Sequence, residues 1–362
     1  MKRRNPGVLM VGSDLTSNGG IASVIKTLYA SYSKSDFPFR LFLLKTCYYN
    51  DKGILWELFI LIKAILVFTP IIIKHNVKIV HLHTSSNLSY YRTIIFFFIS
   101  KLLRRKTILH FHASNFSDFF IHNNKSYKLN KFVFKHTDQI LVLCNEWKNQ
   151  LMDKYGIDNA TFLPNPIPNI PQEVVKETEA KSNKCFQILF IGFLIKTKGI
   201  IEIIELATLL KKNKVNAKII IAGKGLLHDF IITEIENKEL SEYLEYFGWA
   251  NEVSKTTLYL NSDLFLLPSY KEGMPITILE AMTYGLPIIS TNIAGIPDEV
   301  VHAKNGFLYQ PGDVSGFYNG ITTLINNKEL RVEMRKESLK KVKSFDSSVI
   351  FNRLLLIYKE LL

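Results

Sequence analysis

Residues 263–291 constrain the fold more than any other part of the chain. The apolar run Leu264–Leu267 predicts a buried strand, and residues 287–290 predict a second one. The segment between them predicts a short helix, with Pro275 in its first turn and Gly285 at its C-terminal end. Strand, helix and strand in this order form a βαβ unit, which indicates a parallel α/β fold.

Two carboxylates accompany this helix. Glu280 lies away from the apolar stripe of the predicted helix, and Glu272 precedes it in the loop. The free backbone N–H groups of Gly273, Met274 and Ile276 fall between them, at the positive end of the helix dipole, where an anion is stabilised. Carboxylates that accept hydroxyls, beside amides that bind phosphate, suit a nucleotide-sugar. The alternative is an ordinary βαβ unit with two solvated glutamates.

The longer string resolves this choice. It contains Ser269, Glu272-Gly273, Glu280-Ala281, Gly285-Leu286-Pro287 and Gly295-Ile296-Pro297. Together these residues resemble the signature of the retaining glycosyltransferase family 4, whose members have the GT-B fold. The resemblance is dense over residues 186–312 and thin before them. It implies two Rossmann-like α/β domains whose parallel sheets face a central cleft.

The chain of 362 residues is long enough for two such domains. Residues 160–173 are rich in proline, which predicts an interdomain linker. We expect an N-terminal acceptor-binding domain over residues 1–165, a linker over 166–185 and a nucleotide-sugar-binding domain over 186–345. The resemblance implies that the last helix, over 346–362, crosses back to the first domain.

Charge is unevenly distributed along the chain. Residues 1–170 hold 22 Lys and Arg against 9 Asp and Glu, whereas residues 171–362 hold 23 of each. Nucleic acid is one partner for so basic a half, but no nucleic-acid motif accompanies the charge, so we expect none. The apolar residues interleaved with the charge favour an anionic membrane surface or a lipid diphosphate.

Two apolar segments bear on membrane contact. Residues 54–73 approach the length that spans a bilayer, but they contain Glu57, Lys63 and Pro70 and lie between two predicted strands. We therefore expect a crossover helix, buried or docked on a surface, rather than a spanning one. Residues 92–106 form an aromatic run with a basic end, typical of monotopic membrane contact or of an ordinary core helix.

The location follows from the cysteines and the N-terminus. The three cysteines are odd in number and far apart, which indicates reduced residues rather than a disulfide framework. The basic N-terminus precedes an apolar run too short for a signal peptide, so none is expected. We predict a cytoplasmic protein, peripheral at the inner face of the cytoplasmic membrane.

A glycine pair, Gly19-Gly20, falls between the first predicted strand and its helix. Glycine there lets a ligand approach the backbone at a helix N-terminus. The pair is not the G-x-G-x-x-G dinucleotide fingerprint, because the third glycine and the ribose-binding acid are missing. The resemblance implies that both glycines face the donor diphosphate and the acceptor.

Two predicted strands end in H-x-H pairs, His81/His83 and His110/His112. Four histidines at neighbouring strand ends suggest zinc, but no Asp, Glu or Cys completes a ligand pattern, so no metal is expected. The resemblance implies that His112 faces the sugar. His83 is a weaker candidate for acceptor or phosphate contact, and the other two histidines are predicted to lie in the core.

The second half departs from the family pattern at one position. Lys198-Gly199 matches the expected lysine-glycine, but Phe193 stands where the family has arginine. One of two expected cations at the leaving diphosphate is therefore missing, and Lys196 or a basic residue of the first domain could replace it. Gly223, Gly248 and Trp249 follow strands at the sheet edge where ligands bind, although Trp249 could equally be core packing.

These observations predict a retaining, metal-independent glycosyltransferase with a UDP- or GDP-sugar as its donor and no cofactor. The predicted acceptor is a lipid-linked glycan of bacterial capsule or O-antigen synthesis. The predicted catalytic residues are Glu272, His112 and Lys198, and His83 is the acceptor-binding candidate. The predicted donor-binding residues are Gly19, Gly20, Lys196, Gly223, Gly248, Trp249, Gly273, Met274, Pro275, Ile276 and Glu280. Two alternatives remain, a GT-B nucleotide-sugar 2-epimerase and a non-catalytic, membrane-docked GT-B scaffold.

Overall fold

A computed structural model describes residues 5–16, 19–33, 37–47, 53–168 and 185–362. The chain divides into two compact units. Unit one comprises Met1–Pro168 and Phe345–Leu362, and unit two comprises Asn169–Ser344. Most of the predicted linker, residues 169–184, lies outside the described residues.

Unit one is built on a parallel sheet. Its strands are β1 (Gly7–Ser13), β2 (Arg40–Cys47), β3 (Val77–Thr84), β4 (Lys106–Phe111), β5 (Gln139–Val142) and β6 (Ala160–Phe162). They lie in the order β2-β1-β3-β4-β5-β6, and every pair is parallel. Its helices include α1 (Gly20–Ser33), α2 (Ile54–Lys74), α3 (Leu88–Leu102), α4 (Tyr127–His136) and α5 (Asn145–Tyr155).

The connections in unit one place its helices on two faces of the sheet. From β1 the chain runs to β2 at one edge of the sheet, and from β2 it crosses to β3 on the other side of β1. The strand order therefore reverses between β1 and β3, which flank a topological switch point. Right-handed crossovers then put α2 and α3 on the same face and α1 on the other. Consistent with this, the rings of Phe68 in α2 and Phe96 in α3 are 5.0 Å apart.

Unit two repeats the architecture with a different strand order. Its strands are β7 (Phe186–Ile191), β8 (Ala217–Ala222), β9 (Leu244–Gly248), β10 (Leu264–Leu267), β11 (Ile288–Thr291) and β12 (Gly306–Tyr309). The order is β12-β11-β10-β7-β8-β9, again parallel, and it reverses between β7 and β10. Its helices are α6 (Ile200–Lys212), α7 (His228–Asn237), α8 (Glu252–Asn261), α9 (Ile276–Thr283), α10 (Ile296–Glu299), α11 (Val314–Asn326) and α12 (Lys328–Val342).

The last helix, α13 (Ser347–Glu360), belongs to unit one. The amide of Ile167 donates to the carbonyl of Phe345, and the amide of Ser347 donates to the carbonyl of Ile167. Asp346 caps the helix, because its side chain accepts from the amide of Ser348 at 2.8 Å. The helix then packs against α1.

The prediction of two Rossmann-like domains with parallel sheets is confirmed. One local detail differs from expectation: Pro275 is the N-cap of α9, with φ −74° and ψ 113°, rather than a residue of its first turn. A second difference concerns residues 92–106, which do not form one element. Helix α3 begins at Leu88 and ends at Leu102, and Lys106 already starts β4.

Candidate active site

Two loops meet at the carboxyl ends of β7 and β10, which are neighbours at the switch point of unit two. A 3₁₀ turn, Lys196–Lys198, follows β7 and ends at Gly199, whose φ is +76°. The amide of Tyr270, just after β10, donates to the carbonyl of Thr197 at 2.9 Å. A Cβ at position 199 would lie 2.2 Å from the carbonyl oxygen of Pro268. Glycine is required there both by its backbone conformation and by this close approach.

This approach brings Lys198 onto Glu272. The Nζ of Lys198 lies 2.6 Å from Oε1 of Glu272, and the side chains are 20% and 5% exposed. A carboxylate so deeply buried needs a partner, and Lys198 supplies it. The lysine-glycine pair and the first carboxylate of the signature are therefore one structural unit at the switch point.

The second carboxylate, Glu280, is held from the neighbouring helix α8. Lys255 Nζ lies 2.6 Å from Glu280 Oε1, and the Tyr259 hydroxyl donates to Oε2 at 2.8 Å. Burial alone would lower the pKa of Lys255, but the carboxylates of Glu280 and Glu252 raise it. Sequence reasoning identified Glu280 and missed both of its partners, which lie in a different helix. Neither Glu272 nor Glu280 is the freely solvated glutamate of an ordinary βαβ unit.

The N-terminus of α9 lies between these two carboxylates. Pro275 makes no side-chain cap hydrogen bond, so no side chain caps the first turn of this helix. The loop before it is fixed by Gly295, whose amide donates to the carbonyl of Gly273 at 2.8 Å. A Cβ at position 295 would lie 2.3 Å from that carbonyl oxygen. The amides of Gly273, Met274 and Ile276 thus belong to a tightly held loop, which is the geometry an anion site needs.

A third carboxyl group, Glu299, lies behind the first and was not predicted. Glu299 ends α10, is fully buried, and neither of its carboxyl oxygens has a hydrogen-bond partner among the described residues. Burial raises the pKa of Glu299 well above its ordinary value, and the negative charges of Glu272 and Asp298 raise it further. Burial therefore favours the protonated, neutral form of the Glu299 carboxyl group.

The position of the missing arginine is occupied by an exposed aromatic pair. Phe193 is 44% exposed and Trp249 is 49% exposed, and their ring centroids are 6.4 Å apart. The exposure excludes core packing for Trp249. Lys224, which follows β8, holds its Nζ 4.8 Å from the centroid of the Trp249 ring. Lys224 thus places a cation over Trp249, the ring paired with Phe193, and this lysine was not predicted from the sequence. Lys196 is exposed and makes no such contact with the described residues.

The glycines at the ends of β8 and β9 have backbone roles. The amide of Gly223 donates to the carbonyl of Gly248 at 2.8 Å. A Cβ at position 223 would lie 1.9 Å from the carbonyl oxygen of Gly192, so the strand ends can approach only with glycine there. Gly248 has φ +93° and open space beside it. These contacts set the loops that carry Lys224 and Trp249.

In unit one, the four predicted histidines form two hydrogen-bonded pairs across β3 and β4. His81 Nε2 lies 3.2 Å from His110 Nδ1, and His83 Nδ1 lies 3.0 Å from His112 Nε2. The rings of His81 and His83 stack with centroids 4.2 Å apart. His81 and His110 are core residues, as predicted, since both are buried.

The surroundings of the two remaining histidines differ. His112 is partly exposed and also hydrogen-bonds the Asn165 side chain, whereas His83 is 3% exposed. Burial lowers the pKa of His112 to about 3, so its imidazole is neutral at physiological pH. The geometry favours a role for His83 in orienting His112 over the predicted direct contact with an acceptor.

The predicted glycine pair lies at the start of α1. Both Gly19 and Gly20 are exposed, and a Cβ at position 19 would meet no atom within 4 Å. The open space at Gly19 leaves the backbone of this helix N-terminus accessible to a ligand.

His81, His83 and His110 bring nitrogen atoms within 4.8 Å of one another, close enough to consider a metal ion. His81 uses Nδ1 on the Tyr358 hydroxyl and Nε2 on His110. Among these three residues, two ring nitrogens have no hydrogen-bond partner in the described structure: Nε2 of His83 and Nε2 of His110. Two nitrogens fall short of a tetrahedral zinc site.

Comparison with known proteins finds a family model that resembles the second unit. Residues 171–341, which contain the Lys198–Glu272 pair and Glu280, match the model of the glycosyl transferases group 1. This match lies entirely within unit two. The prediction that the chain is a glycosyltransferase is thereby confirmed.

The relatives described next are bacterial. A glycosyltransferase of Haemophilus influenzae is 28% identical over 246 residues, covering 67% of this chain and 68% of the relative. The UDP-Gal:α-D-GlcNAc-diphosphoundecaprenol α-1,3-galactosyltransferase of Escherichia coli is 29% identical over 228 residues, covering 59% of this chain and 58% of the relative. The solved structure of Anabaena HepE in complex with UDP has a TM-score of 0.75 at 15% identity, covers 98% of this chain and is itself covered completely (100%). This likeness confirms the fold.

Proposed function

We propose that this glycosyltransferase moves a sugar, with retention and without a metal ion, from a UDP- or GDP-sugar to an acceptor hydroxyl. The observation that carries the proposal is the buried Lys198–Glu272 ion pair at the switch point of unit two. Open α/β sheets bind ligands at this edge. The UDP bound to HepE supports the choice of a nucleotide donor.

The donor site is assigned group by group. Glu280, fixed by Lys255 and Tyr259, accepts hydrogen bonds from the ribose hydroxyls. Glu272 accepts from hydroxyls of the transferred sugar, and the amides of Gly273, Met274 and Ile276 face the phosphates. The ammonium of Lys198 has three donors, so it can hold Glu272 and a phosphate oxygen together.

Departure of the nucleoside diphosphate is the step that these residues accelerate. Negative charge builds on the leaving phosphate as the glycosidic carbon–oxygen bond breaks, and a preorganised cation stabilises that charge. Lys198 is fixed by its buried ion pair and needs little reorganisation. Lys224 supplies the second cation in place of the family's arginine, since it lies over Trp249, whose ring is paired with that of Phe193.

Unit one is assigned to the acceptor. His112, oriented by His83 and Asn165, is the group that would contact the reacting sugar. The proposed acceptor is a lipid-linked saccharide of surface polysaccharide synthesis, supported by the diphosphoundecaprenol acceptor in the name of the Escherichia coli relative. The basic charge of residues 1–170 supports docking at the inner, anionic face of the cytoplasmic membrane.

Donor turnover tests the proposal. Nucleotide release is measured for UDP-, GDP- and ADP-sugars in the presence of EDTA, for the wild type, Glu272→Ala and the control Glu236→Gln, an exposed glutamate of α7. Slow release from one donor, lost in Glu272→Ala and kept in the control, supports a metal-independent transferase.

Other outcomes identify the rivals. Conversion of the donor to its 2-epimer without an acceptor would identify an epimerase. Absence of binding and release with every donor would favour a scaffold that has lost turnover. Analysis of the anomeric configuration of the transferred sugar decides retention.

A further inference from the structure

Helix α2 is apolar over most of its surface, but only one of its sides is packed. Its buried residues are Ile60, Ala64, Phe68 and Ile72, one stripe at a spacing of four, which faces the sheet of unit one. By length and composition this helix could cross a membrane, yet only 22% of its most apolar stretch is buried. An exposed apolar surface of this extent normally marks a site of contact with a protein or a membrane.

The outward side of α2 carries exposed large hydrophobic side chains. They are Leu55, Leu58, Phe59, Ile62, Leu66 and Ile73. At about 100° per residue they fall within one arc of roughly 100°, on the side away from the buried stripe. This arc holds no charged residue, and two exposed lysines, Lys63 and Lys74, lie along one flank.

Helix α3, on the same face of the sheet, continues the surface. Its exposed residues Leu88, Tyr91, Ile95, Phe98 and Leu102 recur at spacings of three and four, which forms a single outward stripe. The helix ends at a basic cluster in which Arg104 and Lys106 are exposed. The ion pair of Arg92 with Glu57, at 3.7 Å, links α3 to the first turn of α2. We call the two outward sides together the α2–α3 face.

We infer that the α2–α3 face is inserted in the plane of a membrane that contains anionic lipid. The packed stripe holds α2 against the sheet of unit one, and the two strands that the helix joins, β2 and β3, belong to that sheet. The helix therefore stays on the sheet instead of crossing the bilayer, and it lies along the membrane surface. Its outward side chains enter the boundary between headgroups and acyl chains, to a depth of about 5–10 Å. The flanking lysines and the basic end of α3 stay at the level of the anionic headgroups. This inference deepens the membrane docking proposed above, because it assigns the binding to apolar insertion with charge at the rim.

Vesicle binding without nucleotide-sugar tests the inference independently of the transferase activity. The full chain is co-sedimented with vesicles of equal parts phosphatidylglycerol and phosphatidylethanolamine. The wild type is compared with Phe59→Glu and with the control Leu226→Glu, which makes an equally non-conservative change at an exposed leucine of unit two. We expect Phe59→Glu to weaken binding at least about tenfold and the control to bind like the wild type. Binding of the wild type persists in ~1 M NaCl, where the Debye length is about 3 Å.

Tryptophan fluorescence locates the contact. Trp56 lies on α2 and is partly exposed, Trp147 is buried, and the remaining tryptophan, Trp249, is removed by Trp249→Phe. Brominated lipids are expected to quench the fluorescence of Trp56 in this background. Binding that disappears in high salt, that leaves Trp56 unquenched, or that Phe59→Glu does not change would overturn the inference. So would a dimer in solution that Phe59→Glu dissociates, because the face would then contact a second copy of the chain.

The two proposals fail separately. Donor hydrolysis in solution requires no membrane, so Phe59→Glu should hydrolyse the donor like the wild type. If Glu272→Ala loses hydrolysis but binds vesicles like the wild type, the membrane inference is unaffected. If Phe59→Glu loses vesicle binding but hydrolyses the donor like the wild type, the proposed transferase is unaffected.

Discussion

The hydroxyl of Tyr358, four residues from the end of the chain, lies 2.7 Å from Nδ1 of His81 at the centre of the first sheet. The other ring nitrogen of His81, Nε2, lies 3.2 Å from Nδ1 of His110. Both histidines and the tyrosine are buried. The last helix therefore satisfies a buried polar group of unit one with a residue 277 positions further along the chain.

Removing this hydroxyl should destabilise unit one. In Tyr358→Phe the ring packing is kept, but Nδ1 of His81 loses its partner in a buried site, so the free energy of unfolding should fall by about 1–3 kcal/mol. Urea unfolding measures the change. Tyr29→Phe, at a half-buried tyrosine of α1, is the control and should stay within about 0.5 kcal/mol of the wild type. Equal effects of both variants would show that the His81 contact is not stabilising.

The buried histidine pairs should make the free energy of unfolding depend on pH. Burial lowers the pKa of His81 to about 3 and that of His112 to about 3, and it also lowers the pKa values of His83 and His110. Between about pH 6.5 and 3 the unfolded chain binds protons that the folded chain excludes. The free energy of unfolding should therefore fall as the pH decreases through this window, by up to ~1.4 kcal/mol per pH unit for each histidine.

His81→Asn tests that account, because it removes one titrating group. Below pH 6, the slope of the free energy of unfolding against pH should decrease by the amount that the uptake of about one proton on unfolding contributes. An exposed histidine, changed in His136→Asn, is the control and should leave the slope unchanged. A wild type equally stable at pH 4 and pH 7 would show that these histidines are not buried in their neutral form.

Glu299 should respond to pH in the opposite direction. Its raised pKa means that the folded chain keeps a proton that the unfolded chain releases, so its contribution to stability is complete below the unfolded pKa and is lost as the pH rises. Glu299→Gln keeps the shape and removes the titration. It should raise the free energy of unfolding at pH 8 by about 1–3 kcal/mol and have little effect at pH 4. A variant less stable than the wild type at pH 8 would contradict a neutral Glu299.

Lys224 should replace the missing arginine in donor turnover. Lys224→Ala removes the cation over Trp249, so kcat/KM for donor hydrolysis should fall about 10-fold or more, the scale of one lost charge contact to a phosphate. Lys214→Ala is the control at an exposed lysine of unit two. Introducing Phe193→Arg into the Lys224→Ala chain should restore part of the loss. No effect of Lys224→Ala would assign the second cation elsewhere.

The sequence predicted those parts of the site that depend on local pattern. Proline and glycine bound α9 within a few residues, and the position of Glu272 in its entrance loop follows from those bounds. Lys198 was identified because Lys198-Gly199 matches the lysine-glycine pair of the resembled family. The sequence did not show that Gly199 lies against Pro268, a contact between distant parts of the chain.

Other features depend on packing between distant elements. Lys255 and Tyr259 reach Glu280 only because α8 packs beside α9, and the pairing of His83 with His112 depends on how β3 and β4 align. The apolar composition of α2 does not reveal which of its sides is covered. Trp249 shows the same limit, since sequence allowed both a core and an exposed position.

The central claim is that Lys198 and Glu272 act together on the donor, and a double-mutant cycle tests it most directly. Donor kcat/KM is measured for the wild type, Lys198→Met, Glu272→Gln, the double variant and the control Glu236→Gln. We predict that each single change lowers kcat/KM by about 10²–10³. The double variant should lose little more than either single one, because residues that act as a unit are not additive. Single variants with wild-type turnover, or losses that multiply in the double variant, would contradict the account.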